Sequence, residues 1–294
     1  MKTEKNNSRK LNILVLGGKG QLGRSISKIV GSKTLKDEFH FVDLPELDIT
    51  YEKDVECFFK NREYDFCINC AAYTAVDLAE DEKEAAYKVN AKALKHLVDI
   101  CNQNNCTLLH ISTDFVFDGK KNSAYLEIDV PNPLNVYGAS KVAGEEYITK
   151  GAKDFFIIRT SWVFSEFGSN FLKKMLDLGK EKDVIRVVND QLGSPTYAVD
   201  LAMALLMLIR RTPAMDYGIY HFCNSGTTSW FGFAKSIFEK SGLNTKVESI
   251  SGNELGLKAK RPSYSVLDCS KIDRNLPISR RSWQEALSEC LTYL

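Results

Sequence analysis

The chain has 294 residues, and its 39 basic and 38 acidic side chains leave a formal net charge of +1. That balance excludes the strong positive field that holds nucleic acid or an anionic membrane surface. A hydrophobic fraction of 44% supports a sizeable core, in one large two-lobed domain or in two.

Residues 1–10 are polar and charged, lack the apolar stretch of a secretory signal, and read as a flexible tail. Residues 11–16 form a short apolar run ending in glycines, the pattern of a buried parallel strand. A helix over 20–30 follows, then a strand over 39–42 that ends at Asp43, a short helix over 54–60 and a third strand over 65–69. Residues 83–102 read as a long helix and 107–112 as a fourth strand. A loop with Pro131 and Pro133 leads to a helix carrying Tyr137 and Lys141, and 155–159 is a further strand. Strand–helix units of this length imply right-handed crossovers and an α/β fold with a doubly wound parallel sheet. After Thr160 the rhythm changes to a strand over 184–188, a turn-rich loop over 190–195, an apolar helix over 200–211, a strand over 218–222 and a helix near 283–293. The apolar run at 201–209 is far too short to span a bilayer, so no membrane role is expected.

Three segments carry chemistry. Gly17-Gly-Lys-Gly20-Gln21-Leu22-Gly23 follows the first strand and opens a helix, so its backbone N–H groups can face a pyrophosphate. Asp43, 20 residues beyond Gly23, can accept the adenosine ribose hydroxyls, which favours NAD, whereas Lys19 and Arg24 can offset the repulsion of a 2′-phosphate in NADP. Ser112, Thr113 and Asp114 close the fourth strand, at the end of the sheet where ligands of such folds sit; the alternative is that they only shape a turn. Tyr137 and Lys141 are one helical turn apart on one face. A lysine ammonium held there would depress a phenol pKa that is ordinarily about 10, giving a proton donor or acceptor near neutral pH.

The eight cysteines include Cys67-x-x-Cys70. No second such pair and no histidine pair completes a metal site, so no metal is expected, and free thiols in a reducing cytoplasm are the reading.

Gly17-x-x-Gly20-Gln-Leu-Gly23, residues 69–77 (NCAAYTAVD), 112–119 (STDFVFDG) and 137–141 (YGASK) resemble the extended short-chain dehydrogenases/reductases. Residues 159–164 (RTSWVF), 189–196 (NDQLGSPT) and Arg261-Pro-x-x-Ser265-x-Leu-Asp268 narrow the resemblance to the dTDP-4-dehydrorhamnose reductase family, over roughly residues 11–294. The resemblance implies a Rossmann dinucleotide-binding domain over 11–160, to which a strand and helix near 198–224 return. A smaller α/β substrate-binding lobe would cover 161–294. It implies reduction, by NADPH or NADH, of the C4 keto group of a dTDP-linked 4-keto-6-deoxy sugar to give dTDP-L-rhamnose. Tyr137 would donate the proton, Lys141 would tune Tyr137 and hold the nicotinamide ribose, and Thr113 would orient the carbonyl. Gly17, Gly20, Gln21 and Leu22 would hold the cofactor phosphates, Asp43, Asp48 and Ile49 the adenosine end, and Ala71, Ala72, Tyr73 and Thr74 the middle. Asp114 and Trp162 would contact the sugar nucleotide. Cys70 stands where the family commonly has alanine, and Phe115 and Phe164 where it commonly has tyrosine, changes that bear on the sugar contacts. A homodimer is left open. So are two other activities: a sugar-nucleotide epimerase or dehydratase, and a non-catalytic NADP-binding regulatory subunit such as that of methionine adenosyltransferase.

Overall fold

The computed structural model describes residues 9–32 and 36–294. Of the tail expected over 1–10, residues 1–8 lie outside that range, while Arg9 and Lys10 are tied down by ion pairs to Asp65 and Glu38.

The first half runs β1 (Asn12–Leu16), α1 (Gln21–Ser32), β2 (Glu38–Val42), α2 (Glu52–Phe59), β3 (Phe66–Asn69), α3 (Lys83–Tyr87), α4 (Ala93–Gln103), β4 (Thr107–Thr113), α5 (Val136–Gly151) and β5 (Phe155–Thr160). A π-helical turn, Lys88–Lys92, joins α3 to α4, so the long helix expected over 83–102 is interrupted. The second half runs β6 (Val163–Phe164), α6 (Phe171–Glu181), β7 (Val184–Val188), β8 (Leu192–Gly193), β9 (Thr196–Tyr197), α7 (Ala198–Arg211), β10 (Gly218–His221), β11 (Thr228–Ser229), α8 (Trp230–Ser241), β12 (Lys246–Ile250), α9 (Ser270–Asn275) and α10 (Trp283–Leu291).

Six parallel strands form one sheet in the order β10-β5-β4-β3-β1-β2. Side chains of successive strand residues point to opposite faces, and both faces are buried. Ile13, Val15, Ile68, Leu109, Phe156 and Ile158 join one apolar cluster with α1 and α7. Leu14, Leu16, Cys67, Leu108 and Ile157 join the other with α2 and α4. Continuous apolar strands are the sequence signature of this two-sided burial.

The chain leaves β1 toward β2 on one side and returns to β3 on the other. The crevice at that reversal, outside the carboxyl ends of the strands, is where ligands bind in such sheets. The remaining strands pair two by two: β7 with β12 and β6 with β9 in parallel, β8 with β11 antiparallel. Of these strands, β6 reaches the crevice through Val163.

Candidate active site

The glycine loop turns directly out of β1. Gly17 has φ +74°, a left-handed backbone that favours glycine. A Cβ there would lie 2.7 Å from the Ala71 nitrogen, so only glycine lets the loop press against the chain leaving β3. Gly20 N–H donates to Gly17 O at 3.1 Å, and α1 begins at the next residue. The N–H groups of its first turn have no acceptor within the helix and point outward, a cradle suited to a dinucleotide pyrophosphate.

Two adjoining cavities open from this loop and share Gly20, Cys70 and Ala72. The first, about 300 Å³, is lined by Gly17, Asp43, Asp48, Ile49, Ala71, Ala72 and Tyr73. The second, about 460 Å³, is lined by Gln21, Leu22, Ala72, Thr74, Thr113, Asp114, Tyr137, Lys141 and Trp162. The residues to which the resemblance gives cofactor, catalytic or sugar contacts therefore border two adjoining cavities, whereas Lys19, Arg24, Phe115 and Phe164 do not line them.

The two aspartates at the narrow end are already engaged. Asp43 accepts from the backbone N–H groups of Lys19 (2.9 Å) and Leu44 (2.8 Å). Asp48 accepts from the N–H and hydroxyl of Thr50 at 2.9 and 2.7 Å. Asp43 thus braces the glycine loop against the end of β2, with its charge partly spent on two N–H donors.

At the wide end, α5 is begun sharply by Asn135, whose side chain accepts from Gly138 N–H at 2.8 Å. The second Asn135 side-chain group donates to Lys260 O at 2.7 Å, which ties the helix start to the second half of the chain. Gly138 allows α5 to touch the turn after β4: a Cβ there would sit 2.2 Å from Phe115 O. Phe115 and Tyr137 then meet edge to face at 5.9 Å. Thr113 Oγ1 donates to Asp114 Oδ1 at 3.1 Å and accepts from Phe115 N–H at 3.2 Å.

Burial pushes the Asp114 carboxyl up to about 7, against the hydroxyls of Ser265 and Thr113, which favour its ionised form. Asp114 Oδ2 is buried without a hydrogen-bond partner among the described residues. Ser112 turns beneath the site, donating at 2.5 Å to Glu145, which also holds Arg159 at 2.6 Å; all three are buried.

The expected depression of the phenol is not found. Burial raises Tyr137 to about 12, with a weaker opposing hydrogen bond from Thr113. Lys141 is itself lowered to about 8 by burial. Its ammonium or amine group is directed to Ile111 O (2.7 Å) and His110 Nε2 (3.0 Å). The spacing of Tyr137 and Lys141 puts them in one cavity, but the buried surroundings, which the spacing does not reveal, decide their proton affinities.

Trp162 is held in an unusual conformation. Its φ is +48°, and its ring lies flat on Trp230, 3.6 Å between centroids at 8°. A Cβ on Gly193 would come within 2.6 Å of that indole, so the glycine of the 190–195 turn makes room for it.

Several residues at the site carry no sequence signal of their own. Asn90, in the π-helical turn, donates to Tyr73 O and accepts from Tyr73 N–H, both at 2.9 Å, and also donates to Ser140 at 3.0 Å. π-turns often sit at functional positions, but their presence is not visible in a helical pattern. Ser165 and Asn170 both donate to Gln21 Oε1, at 3.0 and 2.9 Å, fastening the start of α1 to the loop before α6. Thr160 and Ser161 line the wide cavity. Among the described residues no group of three or more His, Cys, Asp or Glu side chains is arranged to hold a metal ion, and no helix is long and apolar enough to cross a membrane.

A parallel doubly wound sheet, a glycine cradle at its switch point, and Thr113, Tyr137 and Lys141 around the adjoining cavity define a short-chain dehydrogenase/reductase of the extended kind. More narrowly, the chain belongs to the RmlD substrate binding domain family, whose profile matches residues 11–294. It is 39% identical over 290 residues to a dTDP-4-dehydrorhamnose reductase of Aggregatibacter actinomycetemcomitans, covering 96% of this chain and 98% of that one. It is 41% identical over 279 residues to the spore coat polysaccharide biosynthesis protein SpsK of Bacillus subtilis, covering 95% and 96%. Among solved structures, the dTDP-4-dehydrorhamnose reductase of Bacillus anthracis in complex with NADP superposes with a TM-score of 0.93 at 37% identity, covering 97% of this chain and 100% of that one.

Proposed function

We propose that this protein reduces the C4 keto group of dTDP-4-dehydrorhamnose to give dTDP-L-rhamnose, with NADPH as the reductant. The observation that carries the reading is the single crevice that runs from the glycine loop to Thr113, Asp114, Tyr137 and Lys141. The names of the relatives supply the sugar. The NADP complex of the Bacillus anthracis relative favours NADPH over NADH, as does an Asp43 carboxylate already bound by two N–H groups.

In this reading Gly17, Gly20, Gln21 and Leu22 cradle the pyrophosphate, Asp43, Asp48 and Ile49 border the adenosine, and Ala71 to Thr74 line the middle of the cofactor. The dihydronicotinamide supplies, when bound, the hydride that C4 receives. Tyr137 gives its phenolic proton to the carbonyl oxygen as negative charge develops there. A phenol raised to about 12 is fully protonated at neutral pH, the state a proton donor needs. Thr113 orients the carbonyl oxygen, and Lys141 holds the nicotinamide ribose beside Tyr137. Asp114 Oδ2, buried and unpartnered, accepts from a sugar hydroxyl. Trp162 offers an aromatic face to the sugar nucleotide.

Residues 11–160 with α7 and β10 form the cofactor half, and most of 161–294 forms the substrate half. The eight free thiols fit a reducing cytoplasm. The test is to mix purified protein, NADPH and dTDP-4-dehydrorhamnose and follow loss of the reduced nicotinamide absorbance. Turnover in the wild type is expected, and a fall of about 10²–10⁴-fold in kcat for Tyr137→Phe with cofactor affinity retained.

A further inference from the structure

The loop between β6 and α6 is clamped onto one face of α1. Gln21, Arg24 and Lys28 share that face, at i, i+3 and i+7. Ser165 and Asn170 reach Gln21, the Arg24 guanidinium covers the Phe167 ring at 4.3 Å, and Lys28 pairs with Glu166 at 2.6 Å. Gly168, with φ +63°, completes the fit, since a Cβ there would lie 3.2 Å from Gln21 Cγ. Gly168, Ser169 and Gln21 all border the wide cavity.

Hydrogen-bond directions fix which end of the Gln21 amide the loop holds. Lys173 N–H can only donate, and it lies 3.1 Å from Asn170 Oδ1, which caps α6. The other end of the Asn170 amide, Nδ2, faces the carbonyl oxygens of Ser165 at 2.8 Å and Phe167 at 3.2 Å. One backbone donor and two backbone acceptors leave Asn170 a single orientation. Its NH₂ can only donate, so Gln21, 2.9 Å away, must meet it with Oε1. The reversed amide would set two NH₂ groups against each other. The two ends of an amide diverge, so Gln21 Nε2 is directed away from Asn170, and it has no hydrogen-bond partner among the described residues.

We infer that Asn170 is a positioning residue of the cofactor site: by holding Gln21 Oε1 it presents the Nε2 protons to a pyrophosphate oxygen of the bound dinucleotide. Gln21 opens α1 directly after Gly20, which borders both cavities. Its amide thus adds a side-chain donor to the free N–H groups of the first helical turn. One side chain in the second half of the chain both starts α6 and aims a phosphate donor in the first half. The ligand rests on the NADPH-dependent reductase reading; the amide directions do not.

The test is a double-mutant cycle on the Kd of NADP⁺, measured by titration of the full chain. Asn170→Asp keeps the cap on Lys173 N–H but sets a carboxylate oxygen against Gln21 Oε1. The Gln21 amide then reverses and turns its oxygen to the phosphates, and Kd should rise by about tenfold or more. In a Gln21→Ala background the same change should cost much less, because only its charge and its disturbance of the loop remain. Equal losses in both backgrounds would show a role that does not pass through Gln21 and overturn the inference. The sugar nucleotide carries a diphosphate as well, so the Kd of dTDP is measured alongside and should stay close to that of wild type. A loss confined to dTDP overturns the assignment to the cofactor. Should Asn170→Asp not fold, the wild type decides. In protein labelled with ¹⁵N-glutamine, the side-chain NH₂ signals lost in Gln21→Ala should shift when NADP⁺ is added and not with 2′-AMP, which lacks the pyrophosphate. Signals that ignore NADP⁺, or answer 2′-AMP equally, overturn the inference. The expected cycle and shifts without turnover count against the reductase reading and not against this one.

Discussion

Asp114 shows how burial converts an ordinary carboxylate into a group with two uses. It follows β4 directly and borders the cavity, one of its oxygens is buried without a hydrogen-bond partner among the described residues, and burial moves it from its ordinary 3.8 to about 7. A group whose pKa is raised on folding stabilises the protein fully below the unfolded value and loses that contribution as pH rises through the folded value. For Asp114 the loss falls between pH 4 and about 7, and a displacement of this size corresponds to on the order of 4 kcal/mol. Asp114→Asn keeps the shape and removes the titration. The variant is expected to melt higher than wild type at pH 8.5 and close to it at pH 5, while kcat/KM falls through the lost acceptor. Thermal unfolding of both proteins at the two pH values checks this. Sequence position alone makes Asp114 a candidate; its proton affinity follows from its burial in the folded chain, which Ser265, 151 positions away, only opposes.

Among the elements, α5 is marked in the sequence by its Tyr137–Lys141 pair rather than by an apolar period. Its buried face holds Gly138, Ser140, Lys141, Gly144 and Glu145 with a single apolar side chain, Ile148, so the broad apolar stripe that marks an ordinary amphipathic helix is missing. What identifies the helix in the sequence is chemistry, and what places it is a set of polar contacts from other elements. Glu145→Gln would leave the Arg159 guanidinium buried without its counter-charge. Removing one partner of such a pair costs about 3–5 kcal/mol, so the denaturant midpoint should fall sharply while the slope of the transition is kept. Gly138→Ala tests the approach of α5 to the turn after β4. The added methyl meets Phe115 O, so Tyr137 shifts and kcat falls by at least about tenfold. Cofactor affinity, set at the glycine loop, should stay close to that of wild type when measured by titration.

The strands of the first half were legible because both faces of a parallel sheet are buried and the runs are continuously apolar. Residues 11–16, 65–69 and 107–112 fall within one residue of β1, β3 and β4 at each end. The second half was less legible. The two-residue strands β6, β8, β9 and β11 are fixed by partners distant in the chain and are too short to show a period. The interruption of the long helix at Lys88–Lys92 is likewise set by Asn90 clasping the backbone of Tyr73.

At the scale of the whole molecule, the crevice lies where the two halves of the chain meet. Gln21 is fastened to Ser165 and Asn170, Asn135 to Lys260, and Asp77 to Arg261 at 2.6 Å. The sequence places the glycine loop, Thr113 and Tyr137 at one end of a sheet. The joining of that end to Trp162, stacked on Trp230 and housed by Gly193, depends on contacts that only the folded chain reveals. The direct test of the central claim is one reaction followed at both ends, NADPH consumption and sugar-nucleotide product, with dTDP-4-dehydrorhamnose as substrate. The account predicts one dTDP-L-rhamnose formed per NADPH oxidised by the wild type, and near-complete loss of both in Tyr137→Phe. Tight NADPH binding with no oxidation, or full turnover by the phenylalanine variant, would contradict it.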